Sequence, residues 1–203
     1  ESLVNKCMRA VWWFNRTNKS GEVRFSGICL AIVGVSGAGK TALMAKLAQI
    51  CSETLEMPVI VRFCGTSRGS NTGFNLMRSI CIQILFLYKQ GELWYSGLLT
   101  EAKSKKLSYE AIPTTYEAMV NYFRFLLAHF VCILYIDSLD QLSNDDMARK
   151  NVSFLDGVKP HWRTRIIVSM LPDEDDAPRV LNSGSSSDLF RSREEKPEIS
   201  MVT

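Results

Sequence analysis

One octapeptide constrains this chain more than any other feature. Gly34-Val35-Ser36-Gly37-Ala38-Gly39-Lys40-Thr41 follows the apolar run Ile28 to Val33 and opens a stretch where Leu43, Leu47 and Ile50 recur at helical spacing. The apolar run is rich in β-branched residues and suits a strand buried on both faces. Strand, glycine loop and helix in immediate succession supply the context that the GxxxxGK[ST] pattern requires. Glycines let the loop wrap tightly enough for backbone N–H groups to converge on one anion, and the helix adds its positive N-terminal end. In that arrangement Lys40 reaches the β- and γ-phosphates of a nucleoside triphosphate, and the Thr41 hydroxyl ligates Mg²⁺. The candidate cofactor-binding stretch is Gly34, Val35, Ser36, Gly37, Ala38, Gly39, Lys40, Thr41 and Ala42.

A second segment supplies acids. Val131 to Asp137 reads as an apolar strand ended by a carboxylate, and parallel strands deliver their C-terminal ends to the ligand crevice. Asp137 is therefore the candidate partner of Thr41 in holding the Mg²⁺ shell, through water. Asp140, three residues on, is a candidate to polarise an attacking water. The plain alternatives are a strand-end Asp that caps a turn and a solvated loop acid. No guanine-reading NKxD tetrapeptide occurs, which leans toward ATP over GTP.

Further strands are expected at Val59 to Phe63, after Pro58, and at Arg165 to Met170, with Lys196 to Val202 as the start of a fifth. Helices are expected from Phe74 to Tyr88, and from Pro113-Thr114-Thr115 to about His129. Gln90 to Lys106 is polar, glycine-containing and ambiguous. Alternating strands and helices imply an α/β fold of three layers, with a mainly parallel sheet between helices. Residues 1–24 form a helical flank, 25–181 the core, and 182–203 a flexible loop with the possible fifth strand, so the core reads as truncated at its C-terminal end. In the flank, Val4, Met8, Val11 and Trp12-Trp13-Phe14 suit either an interaction helix or packing under the sheet or against a missing domain, the second being preferred. The polar loop Gly65 to Gly73 follows a strand end that faces the crevice, so Arg68 is read either as a contact to a phosphate or a neighbouring subunit or as part of a solvated turn, the second being preferred; the acids Asp173 to Asp176 are read as solvated.

Composition narrows the class. The chain has 203 residues, 46% of them apolar and 22% charged, enough for one sizeable core. A net charge of +3 is too small to announce a nucleic-acid partner. The six cysteines are dispersed without a CxxC pair, which favours buried reduced thiols and a cytoplasmic setting over a metal or disulfide framework. His129 and His161 stand apart from any ligand-type cluster. No uninterrupted run of eighteen apolar residues exists, so no membrane span is expected. A chain that starts at Glu1 without Met reads as a piece of a longer protein.

GVSGAGKT, the strand that ends in Asp137-Ser138-Leu139-Asp140-Gln141-Leu142, and Arg163 to Ser169 resemble the NACHT group of STAND P-loop NTPases. Arg62 to Ser67, followed by Leu76 to Cys81, narrows the resemblance to the NACHT modules of NACHT and WD-repeat domain-containing proteins and nephrocystin-like relatives. It covers about residues 25 to 180. The resemblance implies an ATP-driven conformational switch in a larger protein, with nucleotide state controlling oligomerisation or partner surfaces supplied by further domains. It also implies an additional-strand sheet, in which the strand ending at Ser169 lies between the cradle strand and the Asp137 strand. Ser169 then takes a catalytic sensor position, with a simple strand-end hydroxyl as the alternative. Two departures stand out: many NACHT proteins have adjacent acids where this chain has Asp140-Gln141, and many end the sensor strand with Arg. A non-catalytic nucleotide-binding scaffold remains a rival reading, and a P-loop small-molecule kinase a weaker one.

Overall fold

The computed structural model describes residues 2–13, 29–55, 57–67, 69–93, 95, 101–143, 154–161, 163–172 and 198–202. Arg68, Phe14, the acids at 173–176 and the low-complexity stretch 182–187 lie outside the described residues, as do the side chains of Trp12 and Trp13. Five strands form one sheet: β1 (Cys29–Val33), β2 (Val59–Phe63), β3 (Ile133–Asp137), β4 (Arg165–Met170) and β5 (Glu198–Val202). Their order is β2-β3-β4-β1-β5; the first four run parallel, and β5 pairs antiparallel to β1. β4 thus lies between the strand that precedes the glycine loop and the strand that ends in Asp137.

Side-chain alternation along the strands builds two cores, one on each face. Leu30 and Ile32 of β1, Ile133 and Tyr135 of β3, and Ile167 of β4 face the first. Against them pack α1 (Leu3–Trp13) and α2 (Lys40–Thr54). Leu43, Met44, Leu47, Ala48 and Cys51 form the buried stripe of α2, while α1 contributes Cys7 and Val11, with Val4 and Met8 alongside. For Val4, Met8 and Val11 the structure therefore shows packing under the sheet.

The opposite face carries Cys29, Ala31, Val33, Ile60, Leu134, Ile136, Ile166, Val168 and Met170. It is covered by α3 (Gly73–Lys89), through Leu76, Met77, Ile80, Cys81, Ile84 and Leu85, and by α5 (Tyr116–His129), through Met119, Phe123, Leu126 and Leu127. Within the ambiguous segment, α4 (Glu101–Lys106) is a short helix, followed by a 3₁₀ turn at Tyr109–Ala111. Helices on both faces of a sheet whose four adjacent strands are parallel make the three-layer α/β architecture expected of this pattern. Among the described residues, no helix is long and apolar enough to cross a membrane.

Candidate functional site

Strand register decides what meets at the C-terminal rim of the sheet. Ile136 pairs with Val168 and Ile32 with Ser169, which leaves Asp137 beside Ser169 at adjoining strand ends. Period two then puts Asp137 on the same face as Ile133 and Tyr135, and Ser169 on the face of Ile167. That is the α2 face, and α2 begins one residue before Thr41. The Thr41 hydroxyl donates to Asp137 Oδ2 at 2.7 Å, across 96 residues of sequence.

The glycine loop joins β1 to α2 and needs left-handed backbone twice, at Gly37 (φ 78°) and Gly39 (φ 84°). A Cβ at either glycine meets nothing within 4 Å, so backbone conformation, not space, selects glycine there. Ala38 N–H donates to the Val35 carbonyl at 3.2 Å, closing the loop, and Gly34 N–H donates to Met170 O at 3.3 Å, tying its start to β4. No side-chain hydrogen bond caps α2 at Gly39, so the first helical turn presents its backbone donors at the loop. Lys40 is buried, and its ammonium donates to Gly34 O at 2.6 Å and Val35 O at 2.9 Å. Two of its three donors are thereby aimed along the loop.

Asp137 is the most heavily hydrogen-bonded side chain of the rim. Oδ2 accepts from Thr41 and, at 3.3 Å, from the Ser138 hydroxyl, while Oδ1 accepts from the Ser169 hydroxyl. The Ser169 oxygen in turn accepts from the Ser138 backbone N–H at 2.9 Å. Asp140 lies on the 3₁₀ turn Leu139–Gln141 and is 6% exposed, so it is not a solvated loop acid. Its Oδ1 accepts from Leu171 N–H at 3.2 Å and its Oδ2 from the Gln141 amide at 2.8 Å. Cys64, just past β2, is buried against the same carboxylates. Burial, with Asp137 and Asp140 nearby, pushes its thiol up to about 12.

The structure therefore joins Thr41, Asp137 and Ser169 through direct hydrogen bonds, and Lys40, next to Thr41 in sequence, holds the loop carbonyls of Gly34 and Val35. It sets Asp140 next to them, held by the chain leaving β4. A carboxylate and a hydroxyl 2.7 Å apart are hard oxygen donors, the chemistry that suits Mg²⁺ when phosphate oxygens and waters complete the shell. Among the described residues no cluster of three His, Cys, Asp or Glu side chains could hold a metal by itself. Sequence reasoning missed Gln141, Gly65 and Ser138. The signal available for Gly65 was a glycine two residues past the end of β2, and for Ser138 its place between Asp137 and the turn.

Sequence comparison relates the chain to known proteins. The chain is 30% identical over 129 residues to human "NACHT domain- and WD repeat-containing protein 1", an alignment that covers 60% of this chain and 7% of that protein. This chain thus matches a small part of a much longer relative. A family model described as "Nephrocystin 3, N-terminal" matches residues 12–169, which include the glycine loop, Asp137, Asp140 and Ser169. On that match, this chain belongs to the nephrocystin 3 N-terminal family.

Proposed function

We propose that this domain binds ATP with Mg²⁺ and acts as a nucleotide-dependent conformational switch, with slow hydrolysis, inside a larger protein. The observation that carries the proposal is the Thr41–Asp137 contact beside a lysine already aimed along the glycine loop. In the bound state the loop N–H groups from Gly37 to Ala42 would hold the phosphates, and Lys40 would pair with their charge. Thr41 and Asp137 would hold Mg²⁺, which would neutralise charge on the terminal phosphates. Asp140 would orient the attacking water, and Ser169 would keep Asp137 in register. The length of the NACHT-containing relative supports further domains through which a switch would reach protein partners or another copy of the chain.

Binding of a fluorescent ATP analogue, with and without Mg²⁺, tests the assignment. Saturable, Mg²⁺-dependent binding is expected, competed better by ATP than by GTP. Lys40→Ala should weaken it at least about tenfold, since it removes a charge-assisted contact worth roughly 1.5–3 kcal/mol. Equal affinity in that variant would remove Lys40 from the site.

A second reading, a nucleotide-binding scaffold without turnover, is favoured by one observation. Both oxygens of Asp140 already accept hydrogen bonds from the protein. Phosphate release under single-turnover conditions separates the two, because the scaffold predicts none above the rate without protein.

A further inference from the structure

Two loops that are far apart in sequence meet behind Asp140. The turn Leu139–Gln141 is closed by Gln141 N–H donating to Ser138 O at 2.9 Å. The loop after β2 is held to it by Cys64 N–H on Asp137 O at 3.0 Å and by Ser143 N–H on Asn71 O at 2.6 Å. Between these ties sits Gly65, at φ +71°. A Cβ built there would lie 2.6 Å from Gln141 Cβ and 3.3 Å from its Cγ. Only a residue without a side chain lets the turn approach this closely. The seated Gln141 directs its amide to Asp140 Oδ2 at 2.8 Å.

We propose that Gln141 is a positioning residue for Asp140 and that Gly65 is the seat on which Gln141 rests, so the loop after β2 sets how Asp140 aims its carboxylate. The inference rests on the reading of this site as a slow ATPase. A carboxylate has about four acceptor directions. One N–H on each oxygen, from Gln141 and Leu171, fixes the carboxylate plane and leaves defined directions for a water. Aim matters for an in-line attack and matters little for holding the nucleotide, because the Gln141 amide bonds to Asp140, whereas the Asp137 carboxylate is held by Thr41, Ser138 and Ser169. Glutamine suits the position because it donates to Asp140, where an acid would set a second negative charge against it.

The test measures ATP affinity and single-turnover hydrolysis on the same samples. Gln141→Met keeps the packing against Gly65 but lacks the donor; its turnover should fall about tenfold or more, with affinity within about twofold. Gly65→Ala should do the same. In a Gln141→Gly background the obstructing Cβ is gone, so adding Gly65→Ala should cost less than about threefold further. If the substituted glycine acts only through its own backbone strain, its loss will be equal in both backgrounds, and the coupling to Gln141 is overturned. Affinity that falls in step with turnover overturns the positioning role as well. So does a parent that binds ATP and does not hydrolyse it, while leaving the nucleotide site standing. A parent that binds no ATP sinks the proposed function itself. If Gly65→Ala gives no cooperative melt, Gln141→Met decides the question alone.

Discussion

At Ser169 a single hydroxyl donates to Asp137 and accepts from the Ser138 backbone, so one side chain at the end of β4 fixes the end of β3. Ser138 is the only non-glycine residue at positive φ among the described residues (φ 60°, ψ 54°), a conformation that needs support from its neighbours. Ser169→Ala removes that support and leaves a buried carboxylate oxygen short of a donor. The expected cost is about 1–3 kcal/mol in urea unfolding. The Mg²⁺-dependent part of ATP affinity should fall in the same variant, and the Mg²⁺-independent part should not; titration with and without the cation checks it. The sequence placed Ser169 at a strand end, but it did not reveal where the hydroxyl points. That depends on register between β3 and β4, and no local pattern encodes register.

Among the elements, β2 carries one edge of the sheet and needs anchoring there. Arg62 provides it: Nε donates to Ser79 Oγ at 2.8 Å and Nη2 to Ser79 O at 2.9 Å, while Nη1 returns to Val61 O at 2.7 Å. The strand is thereby pinned to α3. Burial lowers the pKa of this guanidinium, but the three acceptors meet its donors. Arg62→Met keeps much of the aliphatic packing and loses the pin. About 1–3 kcal/mol of stability should go, with faster hydrogen exchange in β2 and the start of α3 than in β3.

The elements themselves were legible to different degrees. Val59–Phe63 and Arg165–Met170 were readable from apolar runs bounded by Pro58 and by polar residues, and α3 from its 3.6-residue stripe. The expected start of β3 at Val131 fell two residues early, because Val131 and Cys132 continue the apolar run without entering the ladder. The antiparallel direction of β5 could not be read, since alternation looks the same in both directions. The Gly65–Gln141 contact was hidden for another reason: it joins residues 76 positions apart, and neither segment signals the other.

For the whole molecule, all six cysteines are buried and free. Burial raises Cys29, Cys64 and Cys132 to about 12 from an ordinary 9.0. Thiols in the unfolded chain therefore ionise first. The native state keeps its protons longer, so the stability these groups contribute is fully present below pH 9 and is lost as pH rises toward 12. Each fully shifted thiol removes up to about 1.4 kcal/mol per pH unit in that window. Arg165, lowered to about 10 by burial and by Arg163, acts in the opposite sense at higher pH, so the clean interval is pH 8.5 to 10. The urea midpoint should decline across it, and native protein at pH 8 should resist thiol labelling that unfolded protein undergoes completely.

The strand order has a consequence in time. β4 is the last of the four parallel strands to emerge during synthesis, yet it stands between β1 and β3. Before residues 165–170 leave the ribosome, β2 and β3 can pair, while β1 has neither of its eventual neighbours. Thr41 and Asp137 are then both already made, and α2 can meet β3 through Cys51 and Tyr135, but β1 and the start of the glycine loop have no strand beside them. Ser169, which donates to Asp137, and Met170, whose carbonyl holds the start of the glycine loop, arrive only with the central strand. A nascent chain halted short of residue 165 would carry every residue of the glycine loop and still lack the strand that anchors both that loop and Asp137.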